Sequence, residues 1–352
     1  MATEQLDVLV VAGNPWRSDY LRYAADLAPT CGQVFALVGR EGQIQVIAEH
    51  PVEAKRFHSE QPDLRVSWSP SPIEEVEGAV GSLSRRRVAL APAAAAPYRL
   101  AAGPLAATLA PATAMLDRLM LRKSPAEIDA LSRAAALADE GYAVFREAAR
   151  VGRPEYALVA EVEAFFRSRG CPENFQILGS GREVRGMHPP TERRLAAGDL
   201  VTTELTPCVE GYYAQICRTL VLGSPSEAQL RAFSVYDEAL AAGVAAVRPG
   251  ATAAEVARAQ NEVFRRHGLG DYVTSEYTRV RGHGLGLYVD GRPAVLEDVD
   301  LALEPEMTLV VHPNTYHPEA GYFVHGDSVR VTASGCEVLT RTPRELFSVR
   351  AG

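Results

Sequence analysis

The chain has 352 residues, a formal net charge of −8 and a pI near 5.6. This length can hold two domains, each with its own hydrophobic core. The acidic balance argues against a nucleic-acid-binding or polybasic membrane surface, so we expect neither partner.

The sequence predicts a cytoplasmic protein. Its start, MATEQLDVLVV, lacks the basic region, apolar run and cleavage site of a secretory signal. The apolar segment 88–116 is interrupted by prolines and an arginine, so it is not predicted to span a membrane. Five cysteines without CxxC spacing are typical of a reduced compartment.

Residues 1–116 are predicted to form a small α/β domain. LDVLVVAG, RRRVALAP and the two halves of VFALVGREGQIQVIAEH are typical of strands, the last pair forming a hairpin that turns at 40–42. SDYLRYAADLA and PIEEVEGAVGSL have helical periodicity. The Ala/Pro-rich segment 101–111 is predicted to contain the closing helix of this domain and its connection to the next.

A second domain is predicted over residues 117–352. Its first helix starts at Ser124, with Pro125 at the first helical position and Glu127 completing a capping box. Three more helices are each closed by glycine, at EYALVAEVEAFFRSRG, SEAQLRAFSVYDEALAAGVAAVRPG and TAAEVARAQNEVFRRHG. The polar motifs lie on strands between and after these helices.

Three segments carry these motifs: GDLVTTELTPCVEGYYAQICRTLVLG, RGHGLGLYVDGRP and PEMTLVVHPNTYHPEAGYFVHGDSVRVT. They resemble the pita-bread family of creatinase, prolidase, aminopeptidase P and methionine aminopeptidase, with creatinase and ectoine hydrolase nearest in character. The resemblance covers 122–342 and implies an α+β fold. In that fold a small α/β domain precedes a pita-bread domain, whose helices lie outside a curved antiparallel sheet with polar groups inside.

The resemblance also implies a site for two divalent cations, which the family binds with two Asp, one His and two Glu. On that pattern the ligand positions here are occupied by Glu204, Gln215, His283, His312 and Gly326. A single carboxylate would leave about three positive charges uncompensated in a poorly solvated cavity. The sequence therefore predicts no metal pair, and we expect no cofactor.

Four residues form the predicted catalytic set. His188 matches the general acid/base of creatinase, a role that suits imidazole because its pKa lies near neutrality; the alternative is a solvated loop histidine. Glu204 would orient His188 or stabilise its protonated form. His283, whose flanking glycines would let the backbone approach a ligand, and His312 would orient water and polarise the substrate.

The remaining predicted site residues would contact substrate. Tyr213, Gln215 and Cys217 share one face of a hairpin arm, and Cys217 is expected to be a packed small hydrophobe rather than a nucleophile. Asp290 is either a contact for a cationic group or a turn residue, and His325 lies either in the pocket or at the surface.

The amino-terminal stretch GNPWRSDYLRY resembles the segment through which creatinase reaches into its partner subunit's pocket. Trp16 and Arg17 would then clamp a substrate carboxylate. The alternative, which the residues alone favour, is an exposed Arg and a core Trp. The resemblance thus implies a homodimer.

The leading hypothesis is a creatinase-like hydrolase, independent of a metal pair, that cleaves an amide or amidine C–N bond in a small polar molecule. A second hypothesis is an Xaa-Pro peptidase-like enzyme with one metal ion held by Glu204, His283 and His312. A third is a non-catalytic pita-bread binding module.

Overall fold

The computed structural model describes residues 1, 4–83 and 86–350, and the chain divides into two compact units, Met1–Met120 and Leu121–Gly352. The predicted α+β class is confirmed. Within the described ranges, no helix is long and apolar enough to cross a membrane.

The first unit contains a six-stranded sheet in the order β4-β3-β2-β1-β5-β6. Its strands are β1 Val8–Gly13, β2 Val34–Gly39, β3 Ile44–Ala48, β4 Arg65–Trp68, β5 Val88–Ala91 and β6 Leu109–Pro111. The predicted hairpin is confirmed, since β2 and β3 pair antiparallel with Val38 opposite Ile44. Every residue of β1 is buried, which suits a central strand covered on both faces.

The helices that accompany this sheet are α1 Asp19–Ala25, α2 Pro51–Glu60, α3 Pro72–Ser82, α4 Tyr98–Ala102 and α5 Thr113–Leu121. The prediction that the closing helix lies within 101–111 is wrong. That segment holds the end of α4 and strand β6, and the closing helix α5 begins after them. Pro104 and Pro111 cannot supply the backbone N–H groups that a helix interior needs, which explains the interruption.

The second unit has four long helices: α6 Pro125–Ala148, α7 Glu155–Ser168, α8 Glu227–Ala246 and α9 Ala253–Arg266. The capping box at the start of α6 is confirmed, because Ser124 accepts from the Glu127 backbone N–H and Glu127 accepts from that of Ser124. The starts of α8 and α9 carry the same arrangement.

Two five-stranded sheets and a short hairpin complete the unit. The first sheet runs β18-β10-β8-β7, with β9 paired to β8, and the second runs β12-β11-β13-β16-β17. The strands are β7 Asn174–Gly181, β8 Leu200–Val209, β9 Tyr212–Tyr213, β10 Ile216–Leu222, β11 Gly282–Gly284, β12 Gly291–Ala294, β13 Thr308–Val311, β14 Thr315–His317, β15 Gly321–Phe323, β16 Asp327–Val331, β17 Cys336–Val338 and β18 Phe347–Val349. A backbone bridge between Cys217 and Gly326 joins the two sheets.

Alternation along the central strand β8 positions the site. Val201 and Leu205 belong to the apolar core that includes residues of α6 and α7. The intervening residues, Thr202 and Glu204, point to the opposite face because successive side chains in a strand alternate. The strand therefore separates a helix-covered core from a polar interior.

Candidate active site

A cavity of about 430 Å³ opens in the second unit. Its polar lining comprises Glu204, Gln215, Thr278, Arg279, His283, Asp290, His312, Asn314 and Tyr322. Its apolar lining comprises Phe175, Ile177, Met187, Val280, Tyr288 and Val289. Five of the predicted site residues thus share one cavity: Glu204, Gln215, His283, Asp290 and His312.

Glu204 is a buried carboxyl group without a cationic hydrogen-bond partner in the described ranges. The Nδ2 of Asn314 donates to its Oε1 at 2.7 Å. Burial raises the pKa of Glu204 to about 7, because the charged carboxylate loses water solvation that the hydrogen bonds from Cys217 and Asn314 do not replace. The group therefore exists in both protonation states near neutral pH.

Asn314 is held so that its amide has one orientation. Its Oδ1 accepts from the backbone N–H of His325 at 3.0 Å, which leaves Nδ2 to face Glu204. Its backbone oxygen accepts from Nη1 of Arg281 at 2.8 Å. Asn314 thus links a buried guanidinium to the carboxyl group in the cavity.

His283 lies on β11 with Nδ1 3.1 Å from the carbonyl oxygen of Gly284. Because a carbonyl only accepts, Nδ1 carries the proton and Nε2 the lone pair. Burial lowers the pKa of His283, so the ring is neutral.

The flanking glycines have a different role from the expected approach to a ligand. A Cβ on Gly284 would lie 1.8 Å from the Arg292 oxygen, and one on Gly282 would lie 2.2 Å from the Val310 oxygen. Close packing of the neighbouring strands therefore requires both glycines.

His312 follows β13, with its ring centroid 5.6 Å from that of His283. Burial lowers the pKa of His312 well below its ordinary value, and the neighbouring His283 lowers it further. Its Nδ1 has no hydrogen-bond partner among the residues that the structure describes. The cavity thus contains two neutral imidazoles.

His312 and Gly326 are sterically coupled. A Cβ placed on Gly326 would lie 2.6 Å from the His312 Cβ and 2.7 Å from the Val311 oxygen. No side chain fits at position 326 while β13 keeps this course. The glycine that removes a family ligand position is therefore a packing requirement here.

Gln215 and Asp290 have defined partners within the cavity. The Nε2 of Gln215 lies 3.5 Å from Sγ of Cys217, and its backbone N–H donates to Ser328 at 2.9 Å. Asp290 accepts an ion pair from Arg279 at 2.7 Å. A contact between Asp290 and a cationic substrate group stays a prediction.

Several predicted residues do not line the cavity. His188 is partly exposed, with Nδ1 2.8 Å from the Pro189 oxygen and 3.9 Å from Oε2 of Glu155. His325 is buried rather than in the pocket or at the surface, and its Nε2 lies 3.1 Å from Oδ1 of Asp237 on α8.

Tyr213 and Cys217 are not among the residues that line the cavity. The Tyr213 hydroxyl donates to Glu173 at 2.6 Å. Cys217 packs in a buried apolar cluster, and burial raises the pKa of its thiol well above the ordinary value. The expectation of a packed small hydrophobe suits this environment.

Trp16 and Arg17 belong to the first unit. Trp16 is 87% exposed, so the alternative of a core Trp is wrong. Arg17 pairs with Asp19 at 3.0 Å, which already engages its guanidinium. Their contact with a substrate carboxylate stays a prediction.

Sequence reasoning missed Arg279, Asn314 and Tyr322. Asn314 contacts Glu204 across 110 residues of chain, a separation that local patterns do not bridge. Arg279 lies only four residues before His283, and a charged residue beside the GHG motif is the signal that could have identified it.

Comparison with known proteins identifies the family of this chain. Residues 129–333 match the model of metallopeptidase family M24. An uncharacterized peptidase of Bacillus subtilis, YqhT, is 32% identical over 244 residues, covering 68% of each chain. An Xaa-Pro dipeptidase of Pyrococcus furiosus is 31% identical over 236 residues, covering 66% of this chain and 67% of its own.

A creatinase of a Bacillus species is 31% identical over 239 residues, which cover 63% of this chain and 57% of the creatinase. Among solved structures, an Xaa-Pro dipeptidase from Bacillus anthracis superposes with a TM-score of 0.85 at 24% identity, over 99% of this chain and 96% of its own. This structural likeness confirms the predicted pita-bread fold.

The family match corrects the expectation that no cofactor is required. That expectation is wrong for this family, because the matched family is one of metallopeptidases. The donor set nevertheless does not fit the family's metal pair, since Gly326 offers no side chain and Glu204 is the one carboxylate at the five ligand positions. Within the described ranges, no three His, Cys, Asp or Glu side chains are grouped to hold a metal ion.

Proposed function

Because this chain belongs to metallopeptidase family M24, we propose that it hydrolyses an amide C–N bond in a small peptide-like molecule, with Xaa-Pro dipeptides as the first candidates. The observation that carries the proposal is the shared cavity, which a titratable carboxyl group and two neutral imidazoles line together. Amide hydrolysis needs a base for the attacking water and donors for the charge that develops on the carbonyl oxygen.

Glu204 suits the role of base. With a pKa of about 7 it can take a proton from water and later return it to the leaving amine. Asn314 holds this carboxyl group by donating to Oε1. We therefore assign proton transfer to Glu204 rather than to His188, which does not line the cavity.

Tyr322 and the histidines suit the binding of the reacting group. Burial raises the pKa of the Tyr322 phenol, so its O–H remains available as a donor to a substrate carbonyl. The Nε2 lone pair of His283 can accept from the attacking water or from a substrate N–H.

The proposal also limits the number of divalent metal ions that the cavity can bind. Glu204 is the one carboxylate at the five ligand positions, and a single carboxylate compensates too little charge for two divalent ions. We expect elemental analysis of the purified protein to find no more than one equivalent of divalent metal. Two equivalents would contradict this limit.

A second candidate reaction is hydrolysis of a C–N bond in a non-peptide molecule, which the creatinase relative favours. An assay of amine release distinguishes the two reactions. It uses a panel of Xaa-Pro dipeptides, Xaa-Ala dipeptides and creatine, with and without added divalent metals. We expect Xaa-Pro turnover that falls at least about 100-fold in Glu204→Gln. Absence of turnover across the whole panel would reject the hydrolase proposal, and cleavage of creatine alone would favour the second reaction.

The homodimer and the cytoplasmic location stay predictions.

A further inference from the structure

A second, smaller cavity of about 80 Å³ lies beside the candidate active site. Residues 278–280 line both cavities. Arg281, Asn261 and Glu297 line the smaller cavity and do not line the larger one. The two cavities therefore share one stretch of chain but present different polar side chains.

Arg281 is a buried cation, only 2% exposed. Its Nε donates to Oδ1 of Asn261, and its Nη1 donates to the backbone oxygen of Asn314 at 2.8 Å. Its Cζ lies 5.0 Å from the ring centroid of Phe264. None of these partners is a carboxylate, although a guanidinium stays protonated in proteins. The positive charge is thus buried beside neutral groups.

The geometry of the guanidinium shows on which side an acceptor is needed. Nη2 of Arg281 has no hydrogen-bond partner among the residues that the structure describes. Nε and Nη2 form one edge of a guanidinium, the edge through which Arg17 binds both oxygens of Asp19. In Arg281 the Nε of this edge meets Asn261, which lines the small cavity. An acceptor for Nη2 would therefore come from the side of this cavity.

The nearby carboxylates have guanidinium partners of their own. Oε1 of Glu297 accepts from Nδ2 of Asn261 at 2.6 Å and from Nη2 of Arg265 at 2.7 Å. Asp290 pairs with Arg279 at 2.7 Å. Burying a charge without an opposite charge costs free energy, and an anion beside the buried guanidinium would offset that cost.

The volume and charge of the cavity limit the kind of anion. A water molecule occupies about 30 Å³ in the liquid, so this cavity has room for an ion of chloride size but not for a dipeptide. Glu297 also lines the cavity, and its negative charge disfavours a doubly charged anion. The lining therefore favours one small monovalent anion.

We propose that Arg281 binds one monovalent anion of chloride size in the small cavity and that this anion stabilises the second unit. The site is separate from the C–N bond hydrolysis proposed above and does not depend on it. Because Nη1 of the same guanidinium donates to the backbone of Asn314, the anion also holds in place the segment that carries Asn314.

The first test is thermal unfolding at constant ionic strength, with gluconate replaced by chloride. If the dissociation constant is about 10 mM, about 100 mM chloride raises the ratio of folded to unfolded protein about tenfold. For a protein of this size, Tm should then rise by about 3 °C.

Arg281→Met should abolish this gain, because methionine keeps an apolar stem without the charge. Arg330→Met is the matched control and should keep the gain. Arg330 belongs to the same unit, pairs with Glu306 at 2.7 Å and lines neither cavity. Loss of the gain in both variants would indicate a general charge effect and would overturn the inference.

A second measurement uses the wild-type protein alone, so it does not depend on the folding of a variant. Crystals soaked in sodium bromide should show an anomalous-scattering peak beside Nη2 of Arg281, which back-soaking in sodium chloride should remove. Absence of bromide from the small cavity would overturn the inference. A wild-type gain in Tm below about 1 °C, or an equal gain in Arg281→Met, would also overturn it.

Discussion

Two buried carboxyl groups of the second unit, Asp327 and Glu204, have opposite electrostatic environments. Asp327 accepts from Nη2 of Arg218 at 2.7 Å and from Nε of Arg344 at 2.6 Å. Burial alone would raise its pKa, but the two guanidinium groups outweigh burial and lower it. Glu204 has an amide partner instead, and its pKa rises to about 7.

The difference separates a structural carboxylate from a titratable one. Arg218 is fully buried and also donates to the carbonyl oxygens of Cys217, Gly326 and Thr342, so Asp327 and Arg218 hold the two sheets together. Glu204 lies across the β8–β10 pairing from Cys217, at the cavity. Two buried carboxyl groups therefore have pKa values shifted in opposite directions, because the donors beside one are charged and the donors beside the other are neutral.

The largest expected effect is on Asp327. Asp327→Asn leaves the buried Arg218 without its anionic partner and should lower the free energy of unfolding by about 3–5 kcal/mol. Chemical denaturation monitored by circular dichroism measures this. A loss below about 1 kcal/mol would show that the ion pair does not stabilise the junction of the sheets.

Glu204→Gln should have the opposite sign. The folded-state pKa lies above the ordinary value of 4.5, so the contribution of Glu204 to stability is complete below pH 4.5 and is lost as pH rises through about 7. Glutamine removes this loss, and the variant should be more stable than wild type at pH 8 by up to about 3 kcal/mol. The gain should vanish at pH 4. Unfolding curves at both pH values measure it, and a gain independent of pH would contradict the electrostatic cause.

Gly326, the neighbour of Asp327, should tolerate no side chain. Gly326→Ala brings a Cβ within 2.6 Å of the His312 Cβ and should cost about 2 kcal/mol of stability. Gly335→Ala is the control, because a Cβ there meets nothing within 4 Å. A double-mutant cycle with His312→Gly should show a coupling of at least about 0.5 kcal/mol, since the clash between the two Cβ atoms needs both. Strict additivity would contradict the coupling.

The smallest effect concerns the amide beside Glu204. Asn314→Ala removes the 2.7 Å donor and should raise the midpoint of the Glu204-dependent stability change by about one pH unit. The midpoint is measured from the difference in unfolding free energy between Glu204 and Glu204→Gln backgrounds. Asn261→Ala should leave it unchanged, because Asn261 contacts Glu297 and Arg281 instead.

The sequence predicted the architecture and much of the cavity, because both depend on local patterns. Capping at Ser124, alternation along β8 and the three motif segments identified the helices, the inward face and the positions of Glu204, His283 and His312. Side-chain partners were not predictable in the same way. The Asn314–Glu204 bond and the Arg218–Asp327 pair each join residues more than 100 positions apart, and they decide which carboxyl group titrates.

The glycine next to Asp327 has a consequence for attempts to redesign this cavity. With His312 in place, an acidic side chain at position 326 has nowhere to go, and the Val311 carbonyl obstructs it even after His312 is shortened. Recovery of a second binding carboxylate therefore requires β13 to shift as well as two codons to change. A single substitution at position 326 does not supply that carboxylate while β13 keeps its course, so libraries that vary this position alone should return no acidic residue at wild-type stability.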